Sequence, residues 1–471
     1  MRTAPIDVVL ARPDPGNERF GLGPFFRVEP LGLEYIGAAL EKLGAHVEVL
    51  DLRFAKGSRA IRSANVVGIS CMHALEYDRA VEEARRIRRM APEALVVFGG
   101  HAAASYSLPL EVPEADAICM DDGERVLPLL VAALGRGEPL TSVPGLRVRT
   151  GDGWISTPEL ATDRALDLVP LPARHLVDRF RNRYHCLLFK PVWLVETARG
   201  CPFRCSFCSV WPLYGRTFRE RSVESVCRDL ESVGDHVFIV DDLHWNHPER
   251  SLELAKELRR RGVRKRWILV QTRTDVACRH PEVLEAWRPL AQDFDIFFGL
   301  EAASDAGLEG VVKDAKITSS VEAGRVARSM GYGVTGNFLV DPAWEQRDFE
   351  ELWDFVERND FHRAGYTILT PLPGTEPYET QKAQLDGQPW YKFDMHHLLI
   401  EPRLGPERFF ELYAETWRRS ILNLSGKKRW RDWAKQMHPR QIPYITRVLV
   451  RTQRMMKPAA YLQEHRESIA G

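Results

Sequence analysis

Three cysteines lie within eight residues of one another in the segment "ETARGCPFRCSFCSVW", and this cluster constrains the chain more than any other feature. Cys201, Cys205 and Cys208 follow the spacing C-x3-C-x2-C, and Pro202 between them predicts a loop rather than a helix. Structural zinc sites usually have four protein ligands, and a cubane [4Fe–4S] cluster normally takes four cysteines. Three clustered thiols would therefore leave one iron of such a cluster open to a small molecule.

The remaining five cysteines are spread along the chain, at Cys71, Cys119, Cys186, Cys227 and Cys278. This scatter does not fit a disulfide framework, and a tight cluster in a long intracellular chain indicates metal or redox chemistry. A zinc knuckle that recruits Cys186 or Cys227 as its fourth ligand is the alternative interpretation of the triplet.

The length of 471 residues exceeds what one hydrophobic core supports and predicts two or three domains. The formal net charge is zero, so no bulk electric field attracts the chain to nucleic acid. No apolar run reaches the roughly 18 residues that a transmembrane helix needs, and the N-terminal segment lacks the apolar centre of a signal peptide. We therefore expect a cytoplasmic protein, and peripheral contact with the inner membrane face stays open.

Residues 1–145 alternate short apolar strands with helical patterns, which predicts a Rossmann-like α/β domain with a parallel sheet. The strands are expected at "IDVVLAR", "HVEVLDL", "VVGISC", "LVVFGG" and "DAICMDD". Ligands of such sheets bind beyond the carboxyl ends of the strands. The residues that follow the third, fourth and fifth strands are Ser70, Met72, His73, Gly99, Gly100, His101, Asp121, Gly123 and Glu124.

The rest of the chain divides into three further parts. Residues 146–190 contain prolines and a hairpin pattern around Asp152 and Gly153, and are interpreted as a linker. Residues 191–395 contain six strand–helix units, which predict a partial (β/α)6 TIM-like barrel with its chemistry at the carboxyl ends of the strands. Residues 396–471 predict a helical extension rich in Lys, Arg and Trp. This composition is typical of a membrane interface, and a solvated helical cap is the alternative.

A C-x3-C-x2-C triplet on the loop after the first strand of a β/α barrel resembles the radical S-adenosylmethionine (SAM) superfamily. The resemblance implies that Cys201, Cys205 and Cys208 hold a [4Fe–4S] cluster and that SAM chelates the open iron. It further implies that an electron from the cluster cleaves SAM to a 5′-deoxyadenosyl radical. Phe207, an aromatic residue just before the third cysteine, fits the family pattern.

The same resemblance implies a set of SAM contacts along the barrel. Glu301 in "GLEAAS" matches a polar contact to the ribose, and Gly336–Asn337 in "TGNFLV" matches a turn beside the adenine. The second strand departs from the common Gly-Gly-Glu pattern and carries "VDDLHW", where Asp241 or Asp242 could bind the SAM amino group. Arg273 could pair with the SAM carboxylate. Each of these residues could instead be a strand-end cap or part of a barrel salt bridge.

The domain before the barrel resembles a cobalamin-binding domain, through "PLGLEYIGAALEKLG", "GISCMHALEYDRA", "VVFGGHAAAS" and "DDGERVLPLL". The nine residues named above at its carboxyl edge are the implied cobalamin contacts. The string "DFHRAG", which includes His362, matches a known cobalt-ligand motif but lies in the barrel, so we interpret it as a chance match. His73 and His101 remain as substitute ligands. The alternative is a degenerate domain without its cofactor.

Together the two parts resemble cobalamin-dependent radical SAM enzymes, and "ARPDPGNERFGLGPFF" with "YHCLLFKPVWLVETARGCPFRCSFCSVW" resembles the hopanoid C-3 methylase branch. The resemblance implies a methyltransferase that moves a methyl group from SAM, through methylcobalamin, to an unactivated carbon of a lipid-like substrate. It implies reduced flavodoxin or ferredoxin as the electron donor and no nucleic-acid partner; the oligomeric state is open. Because a hydrogen atom and not a proton leaves the carbon, no general base is nominated.

Three other functions compete with this interpretation. The first is the same cofactor pair acting on a tetrapyrrole, a peptide or an antibiotic precursor, by cyclisation or by methylation. The second is a sensor that binds cobalamin and uses the cluster only structurally. The third is non-specific nucleic-acid binding by the basic C-terminal run.

Overall fold

Two parallel sheets form the framework of the computed structural model, which describes residues 5–16, 26–55, 58–160, 165–186, 188–421 and 442–467. One sheet has seven strands and belongs to the N-terminal part of the chain, and the other has six and belongs to the barrel. This arrangement confirms the predicted fold class of a Rossmann-like domain followed by a partial barrel. In the first sheet the central parallel strands β4 and β5 are largely buried, as expected when helices cover both faces.

The first sheet has the strand order β3-β1-β4-β5-β6-β7-β8, in which the first five strands run parallel. Strands β2 and β9 form a separate antiparallel pair. The nine strands are β1 (Asp7–Arg12), β2 (Phe26–Arg27), β3 (His46–Asp51), β4 (Val66–Ser70), β5 (Leu95–Gly99), β6 (Ala117–Cys119), β7 (Leu146–Thr150), β8 (Gly153–Ser156) and β9 (His185–Cys186).

Helices and short helical turns connect these strands. The α-helices are α1 (Leu31–Lys42), α2 (Ser58–Ser63), α3 (Tyr77–Met90), α4 (His101–Ser105) and α5 (Gly123–Arg136). The 3-10 segments are Ala74–Glu76, Leu108–Leu110, Leu140–Ser142, Leu166–Leu168 and Arg174–Arg183.

The predicted linker is part of the first domain rather than a spacer. The hairpin of β7 and β8 exists, but β7 pairs antiparallel with β6, so the sheet continues to Ser156. Further along, Val177, Phe180 and Tyr184 are buried in the core that also contains Val8 and Leu10 of β1. The sequence pattern showed the turn but could not show that its outer strand has a partner in the sheet.

The six parallel strands of the barrel pair in chain order, and β10 and β17 lie at the two edges of the open sheet. A short antiparallel pair, β11 and β12, lies outside it. The strands are β10 (Trp193–Val195), β11 (Ala198–Arg199), β12 (Arg219–Glu220), β13 (His236–Ile239), β14 (Lys265–Thr272), β15 (Ala291–Glu301), β16 (Gly333–Val340) and β17 (Ala364–Ile368).

Helices cover the outside of the barrel, and α13 illustrates why they form. Its apolar residues Phe349, Leu352 and Val356 recur at helical spacing and are buried, and Glu345 and Asp348 form a capping box at its start. The helices are α6 (Val210–Tyr214), α7 (Val223–Ser232), α8 (Pro248–Arg260), α9 (Thr274–Arg279), α10 (Pro281–Trp287), α11 (Asp305–Gly310), α12 (Ile317–Ser329), α13 (Gln346–Arg358) and α14 (Glu376–Leu385). A final 3-10 turn is Trp390–Lys392.

The C-terminal extension is helical, as predicted, with α15 (Pro406–Ile421) and two later helices, Ile442–Met455 and Pro458–Glu467. Its aromatic residues do not all suit a membrane interface, because Trp417 is buried and its ring lies 5.3 Å from that of Tyr366 in β17. Most of the basic and aromatic run, including Trp430 and Trp433, lies outside the described residues. None of the helices in the described ranges combines the length and apolarity that a bilayer crossing requires.

A buried histidine fastens the last helix to the segment that follows the barrel. His397 lies between Asp394 and Glu464, with ring nitrogens 2.9 and 3.2 Å from their carboxylate oxygens. Burial disfavours the charged ring, but the two carboxylates outweigh it and raise the pKa of His397 to about 9. Its neighbour His396 contacts the Tyr413 hydroxyl at 2.9 Å, and burial lowers its pKa to about 4.

We predict that the His397 contact stabilises the fold at neutral pH and is lost in alkali. Since the folded pKa lies above the ordinary value of about 6.5, the contribution is complete below that pH and disappears as the pH rises through about 9. His397→Gln should cost up to about 3 kcal/mol of unfolding free energy at pH 6 and almost nothing at pH 10. Denaturant unfolding across this range measures the difference.

His396→Gln is the matched control for this experiment. Because the pKa of His396 is lowered, its substitution should show no such alkaline dependence. A constant penalty for His397→Gln between pH 6 and 10 would refute a charged His397.

Candidate functional site

The cysteine triplet lies on a loop that two short strands hold at its base. β11 ends at Arg199, immediately before the loop, and pairs antiparallel with β12, which follows it. Gly200 has φ +90°, and a Cβ there would lie 2.3 Å from the carbonyl oxygen of Thr217. Only glycine fits this position, so the backbone enters the loop along a fixed path.

The loop is further fixed by hydrogen bonds that do not involve its thiols. The Cys208 amide and the Trp211 indole both donate to the Cys205 carbonyl, at 3.1 and 2.9 Å. The Ser206 amide donates to the Val311 carbonyl at 3.1 Å. All three cysteines are half-buried and free of disulfides, which leaves their sulfur atoms available.

The thiols of the loop must lose their protons before they can bind a metal. Burial raises the pKa of all three thiols, that of Cys208 to about 12, and neighbouring cysteines add to the shift at Cys201 and Cys208. Lys313 and Arg273 oppose this shift at Cys205. A coordinating metal removes the thiol protons outright. The loop therefore fits a [4Fe–4S] cluster, and the three cysteines remain its predicted ligands.

Two findings bear on the zinc alternative. Cys186 and Cys227 are both fully buried in hydrophobic cores, so neither can serve as the fourth ligand of a zinc knuckle. Among the described residues, no three His, Cys, Asp or Glu side chains gather closely enough to hold a single ion. A cubane has irons at separate corners, so its thiols need not converge on one point.

Two cations lie near the loop. The guanidinium carbon of Arg273 lies 3.6 Å from the centre of the Phe203 ring, inside the loop. Its Nε donates to Asp275 at 2.8 Å. Lys313, which the sequence analysis did not single out, donates to Glu301 at 2.9 Å and to the Gly299 carbonyl at 2.7 Å. Both cations could meet the carboxylate of a ligand bound at the loop.

The structure separates the two adjacent aspartates of "VDDLHW". Asp241 is buried and accepts hydrogen bonds from the Thr197 amide, the Thr197 hydroxyl, the Ala198 amide and His244. Both oxygens of its carboxylate are therefore occupied by hydrogen bonds within the protein. Asp242 accepts from the Gly200 amide at 2.9 Å and is exposed to solvent, although other protein atoms crowd its carboxylate. That enclosure, with the nearby carboxylates, raises the pKa of Asp242 to about 6. Asp242 is therefore the candidate for the SAM amino group.

The remaining predicted SAM contacts lie on β15 and β16, and their surroundings differ. Glu301 has a φ of +63° at a register shift in β15, an uncommon conformation that is typical of functional sites. Gly336 does not lie in a turn as predicted: it lies inside β16, where a Cβ would meet Leu300 at 2.6 Å. Asn337 faces the other way and donates to Thr367 on β17 at 2.8 Å. Gly336 thus serves strand packing, and Asn337 remains a candidate contact.

The carboxyl edge of the first sheet has an open, partly apolar surface. Met72 is 40% exposed beside the exposed His73, and Glu76 holds this turn by accepting from both amides. Gly100 has φ +107°, and a Cβ there would lie 2.5 Å from the Cys71 carbonyl. Small residues and exposed side chains at the end of a parallel sheet fit a large ligand, so this edge remains the predicted cobalamin site.

Several predicted cobalamin contacts also make contacts within the protein. Glu124 is buried and binds Arg199 at 2.7 Å, so its carboxylate faces the barrel. Asp121 accepts from the next backbone amide at 2.7 Å. Gly123 begins α5, where a Cβ would lie 2.8 Å from Ile36. His101 contacts the Ser209 hydroxyl at 2.9 Å, and burial lowers its pKa to about 4.

The sequence did not point to two arginines that bind the carboxyl edge of the first sheet. Arg199 binds Asp122 and Glu124, and Arg219 binds Asp122 at 2.6 Å. The only signal in the sequence was that arginines flank the cysteine loop on both sides while adjacent acids end the fifth strand. By contrast His362 lies just before the amino end of β17, remote from the loop, in agreement with its interpretation as a chance match.

Comparison with known proteins identifies both halves of the chain. A model of the B12 binding domain matches residues 24–131, and a model of the radical SAM superfamily matches residues 195–356. Hopanoid C-3 methylase of Methylococcus capsulatus is 32% identical over 82% of this chain and 76% of its own length. Anaerobic magnesium-protoporphyrin IX monomethyl ester cyclase of Cereibacter sphaeroides is 28% identical over 69% of this chain and 54% of its own length.

A solved structure shows the same fold. The radical SAM methyltransferase TsrM of Kitasatospora setae, with cobalamin and a [4Fe–4S] cluster bound, superposes with a TM-score of 0.66 at 19% identity. The superposition covers 81% of this chain and 78% of that one. The chain belongs to the cobalamin-dependent radical SAM methyltransferases, and its cofactors are cobalamin, a [4Fe–4S] cluster and SAM.

We predict that Cys205→Ala abolishes cluster binding without unfolding the protein. Removal of one thiol leaves the cluster with two protein ligands, so iron and sulfide should fall from about four per chain to near zero after anaerobic reconstitution. Metal analysis and the visible absorbance spectrum measure the loss. Cys278→Ala, a half-buried cysteine outside the loop, is the control and should retain the full complement. Equal retention in both variants would contradict the assignment.

We predict that Asp242→Asn and Asp241→Asn have different effects. Asp242→Asn should weaken SAM binding by about ten-fold, because an amide cannot offer a charged acceptor to an ammonium group. Asp241→Asn should lower the melting temperature, because its carboxylate holds the end of β10. In the wild type, SAM affinity should fall as the pH drops through about 6, where Asp242 gains a proton.

Calorimetric titration with SAM and thermal melts separate these effects. SAM affinity that is unchanged in Asp242→Asn and independent of pH between 5 and 8 would exclude this role.

Proposed function

We propose that this protein methylates an unactivated carbon of a hopanoid lipid, at C-3. The observation that carries the proposal is the 32% identity to hopanoid C-3 methylase, which extends over both domains. The site supports it, because the cysteine loop and the carboxyl edge of the first sheet are in direct contact. A substrate held between them would reach both cofactor sites.

The cofactors would supply the reactive groups, and the protein would place them. When bound, the cluster with SAM supplies a 5′-deoxyadenosyl radical, and cobalamin supplies a methyl group. The substrate carbon would lose one hydrogen atom to the radical and gain a methyl group. The products would be methylated lipid, 5′-deoxyadenosine and methionine from one SAM, and S-adenosylhomocysteine from a second SAM, with two electrons taken from the external donor. No side chain need accept a proton from that carbon.

Each protein residue in this proposal binds or orients a ligand. Cys201, Cys205 and Cys208 would hold the cluster and leave one iron open. Asp242 would accept hydrogen bonds from the SAM ammonium, with Arg273 beside the loop for its carboxylate. Their fixed positions would reduce the entropic cost of bringing the reacting groups together.

An apolar substrate agrees with the surface around the site. Large apolar side chains are exposed on segments that follow strand ends at this face, including Met72 at 40%, Val312 at 51% and Met395 at 41%. Exposed apolar side chains beside a functional site agree with an apolar ligand. We further propose reduced flavodoxin or ferredoxin as electron donor, and peripheral membrane contact through the basic C-terminal run, where such a lipid would be found.

Modification of a tetrapyrrole is the second candidate. The 28% identity to a magnesium-protoporphyrin monomethyl ester cyclase favours it, because that relative also covers 69% of this chain. The two functions differ in their products, since methylation adds one carbon and two hydrogens whereas cyclisation adds no carbon.

An anaerobic assay with methyl-labelled SAM tests the proposal. The reconstituted protein, with cobalamin and reductant, is given diplopterol in one reaction and magnesium-protoporphyrin monomethyl ester in another. We expect labelled methyl-diplopterol, with 5′-deoxyadenosine and S-adenosylhomocysteine, and no change in the porphyrin. Cys205→Ala should abolish all three products. Formation of 5′-deoxyadenosine with an unmodified hopanoid would refute the lipid assignment and leave the enzyme class intact.

A further inference from the structure

The cysteine loop is tied to the first domain at both ends. Before the loop, Arg199 stands two residues ahead of Cys201 and binds acids at the end of β6. After the loop, Ser209 directly follows Cys208 and contacts His101 at 2.9 Å, where α4 begins. We propose that Arg199 is a positioning residue that couples the occupancy of the cluster site to that of the cobalamin site.

Arg199 uses its whole guanidinium group in this contact. Its Nη1 donates to Asp122 at 2.8 Å and to Glu124 at 2.7 Å, on the first domain. Its Nε and Nη2 donate to Glu196 at 3.0 and 2.9 Å, on the barrel side. The planar fork of arginine can hold both sides at once, which lysine cannot do.

The network is buried, so a charge that lost its partner there would destabilise the fold. The side chains of Arg199, Asp122, Glu124 and Glu196 are 10%, 8%, 6% and 14% exposed. Arg219 adds a second cation on Asp122 at 2.6 Å, and hydrogen bonds with these arginines lower the pKa of Asp122 to about 2 against the effect of burial. Buried charges are tolerated only when they are well paired, so the acids and arginines must move together.

This arrangement links the cluster site to the cobalamin site. A cluster bound to Cys201 fixes the backbone that carries Arg199, and Arg199 in turn fixes the turn of residues 121–124. That turn ends β6 at the edge where cobalamin is expected. Because these four charged side chains share one buried network, a ligand that fixes β11 also restricts the turn of residues 121–124. Occupancy of either site should therefore favour the other by the same factor.

The test is a cobalamin titration of the full chain with and without its reconstituted cluster, under anaerobic conditions and without substrate. In the wild type we expect the cluster to tighten hydroxocobalamin binding by about five-fold or more. In Arg199→Met the ratio of the two dissociation constants should fall to about one. Arg199→Lys, which retains the charge but not the fork, should give an intermediate ratio.

Arg174→Met is the matched control, because Arg174 is also a buried arginine that joins separate segments. It binds Glu29 at 3.0 Å and Asp229 at 2.8 Å and does not touch the cysteine loop. This variant should lose stability but keep the wild-type ratio. If Arg199→Met does not fold, Arg199→Lys is assessed by the same ratio.

Three results would overturn the proposal: a wild-type ratio of one, an unchanged ratio in the Arg199 variants, or an equal loss in Arg174→Met. The last would show that Arg199 acts only through general stability. The proposal rests on the cofactor pair of the proposed function and not on its substrate. Because no substrate is present in the titration, a failure here is distinct from a failure of the lipid assignment.

Discussion

The buried contact of Arg199 with Asp122 and Glu124 is the interaction on which the site depends. It joins the turn after β6 to the strand that leads into the cysteine loop. The contact thereby helps to fix the position of one domain relative to the other. Removing one partner of such a buried pair typically costs about 3–5 kcal/mol, because the remaining charge has no solvent to replace it. Together with the Arg219–Asp122 and His101–Ser209 contacts, it holds the cobalamin edge against the cluster loop.

The rest of the site follows from how parallel sheets are built. Each sheet brings the carboxyl ends of its strands to one edge, and the two edges face one another across this junction. The first edge offers glycines and exposed side chains, and the second offers a loop of three thiols with Asp242, Arg273 and Lys313 beside it. A two-cofactor reaction needs that arrangement, because the chemistry of each cofactor must reach the same substrate atom.

The sequence predicted the parts of this structure that depend on local pattern. Strand–helix alternation predicted both sheets, and the spacing of Cys201, Cys205 and Cys208 predicted the loop, since periodicity and spacing are properties of short segments. It could not distinguish Asp241 from Asp242, because the two are adjacent in the segment that follows β13 and only the packing shows which carboxylate is bound within the protein. Nor could it find Arg199, whose partner Asp122 is 77 residues away.

The most direct test of the account is a structure of the protein determined anaerobically with the cluster, cobalamin and SAM bound. The account predicts that the corrin lies between the edge around Met72 and Gly100 and the cysteine loop, that Asp242 contacts SAM, and that Arg199 still binds Asp122. A corrin bound elsewhere, or domains that separate and break the Arg199 contact on loading, would contradict it.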